Sequence, residues 1–159
     1  MAPALQCSYL LCWTMSDSQK FPVAAHALAY LAHKGAVDAE HAVSSAVLAA
    51  SMPTNPVVVR RVTAMLAKAG LIDTRAGAGG GAWLLTPPEA IPLSAVLRAV
   101  GGCAHFGVPP PGAKGCPVGE RIPDAIMAAI TAADQAARDR LDRISVADLL
   151  TAPLDTALT

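Results

Sequence analysis

Two sets of side chains in this 159-residue chain could do chemistry, and they ask for different partners. The first is polar and basic: Thr54, Asn55, Val57, Arg60 and Arg61 fall close together, followed by Arg75 and by Gly77, Gly79, Gly80 and Gly81. Asn and Arg can pair bidentately with base edges, and Thr can hold a phosphate. A run of glycines lets backbone N–H groups come close to a phosphate or a groove, with Arg75 beside it as counter-charge. The second set is thiols. Twelve residues separate Cys103 from Cys116, with His105 between them, while Cys7 and Cys12 lie near the start. No Cys-x-x-Cys pair occurs, so neither a zinc ribbon nor a disulfide framework is indicated, and a reducing cytoplasm is the expected compartment.

Charge supports the first set. The whole chain is neutral, which would argue against nucleic acid if the charge were spread evenly. It is not. Between Met52 and Thr86 four basic residues (Arg60, Arg61, Lys68, Arg75) face Asp73 alone, whereas from Cys116 to Leu150 four arginines face six acids. The basic part is the middle.

The elements that must position these residues can be read from periodicity. Val23, Ala24, Ala27, Leu28, Leu31 and Ala32 predict a scaffold helix over Phe21 to His33, stopped by Gly35. A short helix should start at Ser44 or Ser45, with Val47 and Leu48 inward, and end at Ser51-Met52-Pro53. Thr54 or Asn55 then caps a third helix, with Pro56 in its first turn, an inward stripe of Val58, Val62, Met65, Leu66 and Ala69, and Gly70 as its stop. Leu71 to Arg75 and Ala82 to Leu85 read as the strands of a hairpin. A fourth helix is expected over Ile91 to Val100, with Leu93, Val96, Leu97 and Val100 inward. A Gly/Pro-rich loop from Cys103 then leads to a long helix over Pro123 to Ile144. Its stripe of Ile126, Ile130, Ala133, Ala137 and Leu141 (then Ile144) asks for a partner surface, and a symmetric dimer is the commonest solution.

The expected fold is therefore mainly α with a small β-hairpin: a winged helix-turn-helix plus a long C-terminal dimerisation helix. It divides as a disordered tail (1–17), a DNA-binding domain (18–102), a sensor-like loop (103–122), the dimerisation helix (123–150) and a frayed tail (151–159). The third helix would lie in the major groove of double-stranded DNA. A phosphate-binding nucleotide loop does not fit the glycines, because a strand follows them rather than a helix. No run of about 18 apolar residues occurs, so no membrane span is expected. The opening segment, whose first basic residue is Lys20, makes a poor signal peptide, and Met15 offers a start for a shorter chain.

The chain resembles the BadM/Rrf-two type regulators, which include nitric-oxide, iron–sulfur-cluster and cysteine-metabolism repressors. The resemblance spans roughly Phe21 to Leu150. It rests on Ala27-Leu28-Ala29-Tyr30-Leu31-Ala32, Lys68-Ala69-Gly70-Leu71-Ile72, Gly79-Gly80-Gly81-Ala82-Trp83-Leu84-Leu85 and Ile91-Pro92-Leu93 with Val96-Leu97, all in the right order. It implies a homodimer that binds a palindromic operator and usually represses, with the long C-terminal helix forming the dimer and the preceding loop as sensor; no enzymatic activity is expected. Cluster-binding members carry three closely spaced cysteines there. Here the central one is absent, so no cofactor is expected, and an iron–sulfur cluster would need His105 and a further ligand. Cys116-Pro117-Val118-Gly119 instead resembles a cluster-free subgroup in which this sequence opens the long helix.

Cys116 and Cys103 are then candidate redox-sensing thiols. A helix N-terminus, helped by Lys114 and Arg121, would favour the reactive thiolate at Cys116; the alternative is a buried cysteine acting as a small hydrophobe. His105 and His26 read as structural. Other readings stay open: a small-ligand sensor, a cysteine enzyme built from Cys116, His105 and Glu120, and a winged helix that binds protein.

Overall fold

The computed structural model describes residues 19–102 and 108–151. The expected tails and the pair Cys103 and His105 thus lie largely or wholly outside the described residues. Within them the chain is mainly α with one two-stranded antiparallel sheet, as its periodicity predicts.

Helix α1 (Lys20–His33) ends at Gly35, whose φ of 63° is the left-handed conformation that suits glycine. Helix α2 (Ser45–Ser51) is capped by Ser44, whose hydroxyl accepts the Val47 N–H at 3.3 Å. Helix α3 (Pro56–Lys68) is capped by Asn55, with Pro56 at the first helical position. Several inward positions differ from expectation. Val47 is 46% exposed, because a seven-residue helix buries one face only and Leu48 and Ala49 occupy it. In α3 the buried positions are Val59, Val62, Thr63 and Leu66; of the other expected inward residues Met65 packs half-buried on the core, whereas Val58 does not and Ala69 is exposed. Thr63 explains the offset, since its hydroxyl donates to the Arg60 carbonyl at 3.1 Å and so enters the core satisfied. Ala69 is the exposed C-cap.

Strands β1 (Ile72–Arg75) and β2 (Gly81–Leu84) pair in the register Ile72↔Leu84, Asp73↔Trp83, Thr74↔Ala82 and Arg75↔Gly81. The segment between α1 and α2 covers the other edge of β2. Val43 and Ala82 exchange two N–H···O bonds of 2.9 Å, and the Leu84 N–H donates to the Ala36 carbonyl at 2.8 Å. A 3-10 turn (Pro88–Ala90) leads to α4 (Leu93–Ala99), which starts two residues later than expected because Ile91 and Pro92 are extended and pair with Ser145 and Val146.

The long helix α5 (Pro117–Leu141) begins six residues before the expected Pro123 and ends three before Ile144. Pro117, not Pro123, takes the helical first-turn position. Pro123 lies inside the helix and has no N–H for the Gly119 carbonyl. Gly112 packs on that same carbonyl so closely that a Cβ there would collide. None of the residues of α5 is buried. Its C-terminal end docks on α4 and the core: the Ser94 hydroxyl donates to Asp142, Arg138 donates to the Gly102 carbonyl at 3.2 Å, and Leu141 and Ile144 pack on the core. Short α6 (Asp148–Thr151) follows fully buried Val146.

The core is one cluster of small and branched side chains from α1, α2, α3, the hairpin and α4. Leu28, Leu31, Leu48, Leu66, Ile72, Ile91, Val59, Val62 and Val96 are among its largest fully buried members. Leu66→Ala should therefore lower stability by roughly 2–5 kcal/mol, from reduced burial plus the cavity left behind. Urea denaturation followed by circular dichroism would read this as a lower midpoint with an unchanged slope.

Candidate nucleic-acid interface

The turn from α2 into α3 sets the first functional residues. Thr54 is half-buried, and its N–H donates to the Ala49 carbonyl at 3.2 Å, which folds the turn back on α2. Asn55 Oδ1 accepts the Val57 N–H at 2.8 Å, so this oxygen is committed to the cap and the amide nitrogen remains the group able to donate elsewhere. The sequence offers Asn55 both as cap and as DNA contact; the cap is what the geometry realises. Val57 is 51% exposed, and Arg60 and Arg61 are exposed on the second turn. Because Val59, Val62, Thr63 and Leu66 take the inner face, the opening turns of α3 present Asn55, Val57, Arg60 and Arg61 outward, with no acidic residue in the first turn.

The hairpin brings in the second group. Gly77 and Gly79 have φ of 94° and 75° at the tip, and the Gly80 N–H donates back to the Gly77 carbonyl at 3.0 Å. At Gly80 a Cβ would collide with the Arg75 carbonyl, and at Gly81 with the Val43 backbone, so both glycines are close-approach positions. Gly81 belongs to β2 rather than to the tip. Arg75 is exposed, but its guanidinium is engaged: Nη2 donates to the Ala39 and Gly79 carbonyls, both at 3.2 Å.

Beside Ala39, Asp38 Oδ1 accepts from the Glu40 and His41 N–H groups and contacts His41 Nδ1 at 2.8 Å. The His41 hydrogen bond holds the Asp38 carboxyl below its ordinary range, and the Asp38 hydrogen bond raises His41. Sequence reasoning missed this segment: Asp38 two and three residues before the N–H groups it collects is a local turn signal, whereas the Ala39 carbonyl that meets Arg75 leaves none.

The thiol region is described from Val108 onward. Cys116 is an exposed free thiol, which overturns its alternative reading as a buried hydrophobe. It is the N-cap of α5: Sγ accepts the Gly119 N–H at 3.4 Å, while Glu120 Oε1 accepts the Gly115 N–H at 2.8 Å. Glu120 is thus tied to backbone, and Lys114 and Arg121 are exposed nearby. Among the described residues no three His, Cys, Asp or Glu side chains converge as a ligand set.

The stripe expected to bind a second copy divides. Leu141 packs on the protomer's own core and Ile130 is half-buried, whereas Ile126 (41% exposed), Ala133 and Ala137 lie open, continuous with exposed Val118 and Ile122.

Two short helices joined by a tight turn, the second exposed at its start, beside a glycine-tipped hairpin, make a winged helix-turn-helix. The Rrf2 family, described as iron-dependent transcriptional regulators, matches residues 17–152, and the chain belongs to that family. It is a DNA-binding transcriptional regulator. YwnA of Bacillus subtilis, a candidate HTH-type transcriptional regulator, is 37% identical over 108 residues, which span 67% of this chain and 80% of YwnA. The crystal structure of a candidate transcriptional regulator from Lactobacillus plantarum is 26% identical with a TM-score of 0.67, covering 82% of this chain and 87% of that one. CymR, the global cysteine regulator of B. subtilis, shares the fold at 20% identity and a TM-score of 0.56, over 86% of this chain and 96% of its own. Among the described residues no helix is long and apolar enough to cross a membrane.

Proposed function

We propose that the chain is a homodimeric, cytoplasmic, non-enzymatic repressor that reads a palindromic operator. Thr54, Asn55, Val57, Arg60 and Arg61 form its reading edge, and the tip around Gly77, Gly79 and Gly80 lies on the adjacent backbone. The observation that carries this is the start of α3, where Arg60 and Arg61 stand exposed on a helix whose opposite face is locked into the core. Bound there, Arg60 and Arg61 neutralise phosphates or pair with guanine, and the dimer doubles the footprint to two half-sites about one helical turn apart. Residues 18–102 act as the DNA-binding unit and α5 as the dimer element. The exposed line of Val118, Ile122, Ile126, Ala133 and Ala137 supports that role for α5, since a helix with this much open apolar surface gains by covering it.

A second reading concerns control. The exposed Cys116 thiol caps α5, so oxidation by a peroxide would add an oxygen to the atom that accepts the Gly119 N–H and disturb the start of the dimer helix. Cys103 would be the partner thiol in such a response.

Three outcomes test these readings. Gel-shift titration of duplex DNA across salt concentrations should give strong salt dependence. Replacing Arg60 and Arg61 by Ala should flatten the slope of log K against log salt by about 1 for each phosphate no longer neutralised. No retardation of the wild type at low salt would defeat DNA reading by this face. Ile126→Asp should shift the protein from dimer to monomer in sedimentation velocity, and an unchanged mass would remove α5 from the interface. Cys116→Ser should keep DNA binding and abolish its sensitivity to peroxide; equal oxidant response in both proteins would sink the thiol reading.

A further inference from the structure

Arg75 does something other than wait for a phosphate. Ile72, Ala82 and Leu84 turn into the core, so the outer face of the hairpin carries Asp73 and Arg75 on β1 opposite Trp83 and Gly81 on β2. Beyond β2 lies the Ala36–Val43 segment, hydrogen-bonded to Ala82 and Leu84 along the edge away from β1. To reach the Ala39 carbonyl from β1, the Arg75 side chain has to pass across β2. Its cross-strand partner on β2 is Gly81, which carries no side chain to compete and over which the Val43 backbone packs. The same nitrogen also donates to the Gly79 carbonyl at the wing tip. Gly80 packs directly over the Arg75 carbonyl, where any side chain would collide.

We infer that Arg75 is the positioning residue of the wing: its guanidinium joins the wing tip at Gly79 to the segment that leads into α2, so it governs DNA binding through where the wing lies, not through a phosphate contact. The chemistry favours Arg specifically. Both bonds come from Nη2, which lies one bond farther from the backbone than a lysine Nζ, so a lysine falls short of the two carbonyls while its ammonium would serve a phosphate about as well. The segment it grips is itself ordered, since Asp38 collects the Glu40 and His41 N–H groups around Ala39, and Val43 runs straight into the Ser44 cap of α2. The wing is thereby referenced to the helix-turn-helix across 36 residues of sequence.

The inference rests on DNA binding by this face, and two measurements separate the two claims. The first compares wild type, Arg75→Lys, Arg75→Ala and Arg60→Ala on a labelled duplex recovered by selection from a random pool, over a range of salt. Both Arg75 variants should bind about five- to tenfold more weakly at every salt concentration, with the wild-type salt slope retained, as expected when charge-assisted hydrogen bonds inside the protein are removed. The second is hydrogen exchange on the free proteins. The Gly80, Ala82 and Leu84 amides should exchange faster in both Arg75 variants, while the Val62 and Leu66 amides in α3 stay as protected as in wild type. Rescue by lysine, with the salt slope of Arg75→Ala reduced by about 1, would make Arg75 an ordinary phosphate contact and overturn the inference. So would unchanged exchange in the wing. Wild-type binding by Arg60→Ala alone would instead count against the reading face and leave the exchange result standing.

Discussion

Everything on the DNA side depends on one packing constraint: α3 must be held hard on its inner face so that its outer face can be offered to a groove. Val59, Val62 and Leu66 are fully or almost fully buried, and α3 packs on α1, α2, β1 and α4. The facing helix α1 contributes Ala24, Ala25 and Ala27 beside Leu28 and Leu31. Alanines at the crossing bring the backbones near without leaving voids, and the leucines supply the apolar area, each worth about 1.5–3 kcal/mol when fully buried. A core of this kind has little slack. A shift of α3 by one residue would turn Arg60 inward and expose Val59, exchanging a buried hydrophobe for an unpaired charge. The orientation of the reading edge is thus set by what the opposite edge cannot tolerate.

The wing inherits its position from the same frame through β2. A two-stranded hairpin alone is marginal in water, but β2 is paired on both edges, by β1 on one and by Ala36 and Val43 on the other. Val43 and Ser44 are adjacent in sequence, so the residue that pairs with Ala82 is followed at once by the residue that caps α2. The wing, the start of α2 and, through the tight turn at Thr54, the start of α3 are consequently joined by a short chain of hydrogen bonds rather than by a flexible loop.

Much of this is legible in the sequence, and the parts that are not share a cause. Caps and stops carry strong local signals: Ser44, Asn55 with Pro56, Gly35 and Gly70 all sit where their side chains or φ angles predict. Registers carry weaker ones. Three consecutive valines at 57–59 allow more than one inward face, and Thr63 looks polar until its hydroxyl is seen to donate to Arg60. Pro123 marks the wrong helix start because Pro117 offers the same signal six residues earlier, and Pro123 then falls inside the helix. Arg75 is the clearest case. Its residue type is right for a phosphate, and only the distance to carbonyls, one of them far away in sequence, reveals its engagement. Local chemistry is readable, whereas contacts between distant backbone atoms are not.

The same distinction applies to α5. Read as a sequence, its apolar positions form one stripe. In the fold they divide, because the helix drifts around its axis and the core covers only its C-terminal end, at Leu141. There the fastening is partly polar. Arg138 on the Gly102 carbonyl and Ser94 on Asp142 tie the last turns to α4, while Leu141 and Ile144 add apolar contact. Gly102 immediately precedes Cys103, and Cys116 caps the other end of the same helix. The segment bearing the two thiols therefore enters at the anchored end of α5 and leaves at its free end. Gly102, held by Arg138 near the last turns, and Cys116, at the first, thus fix the two ends of this segment against opposite ends of α5.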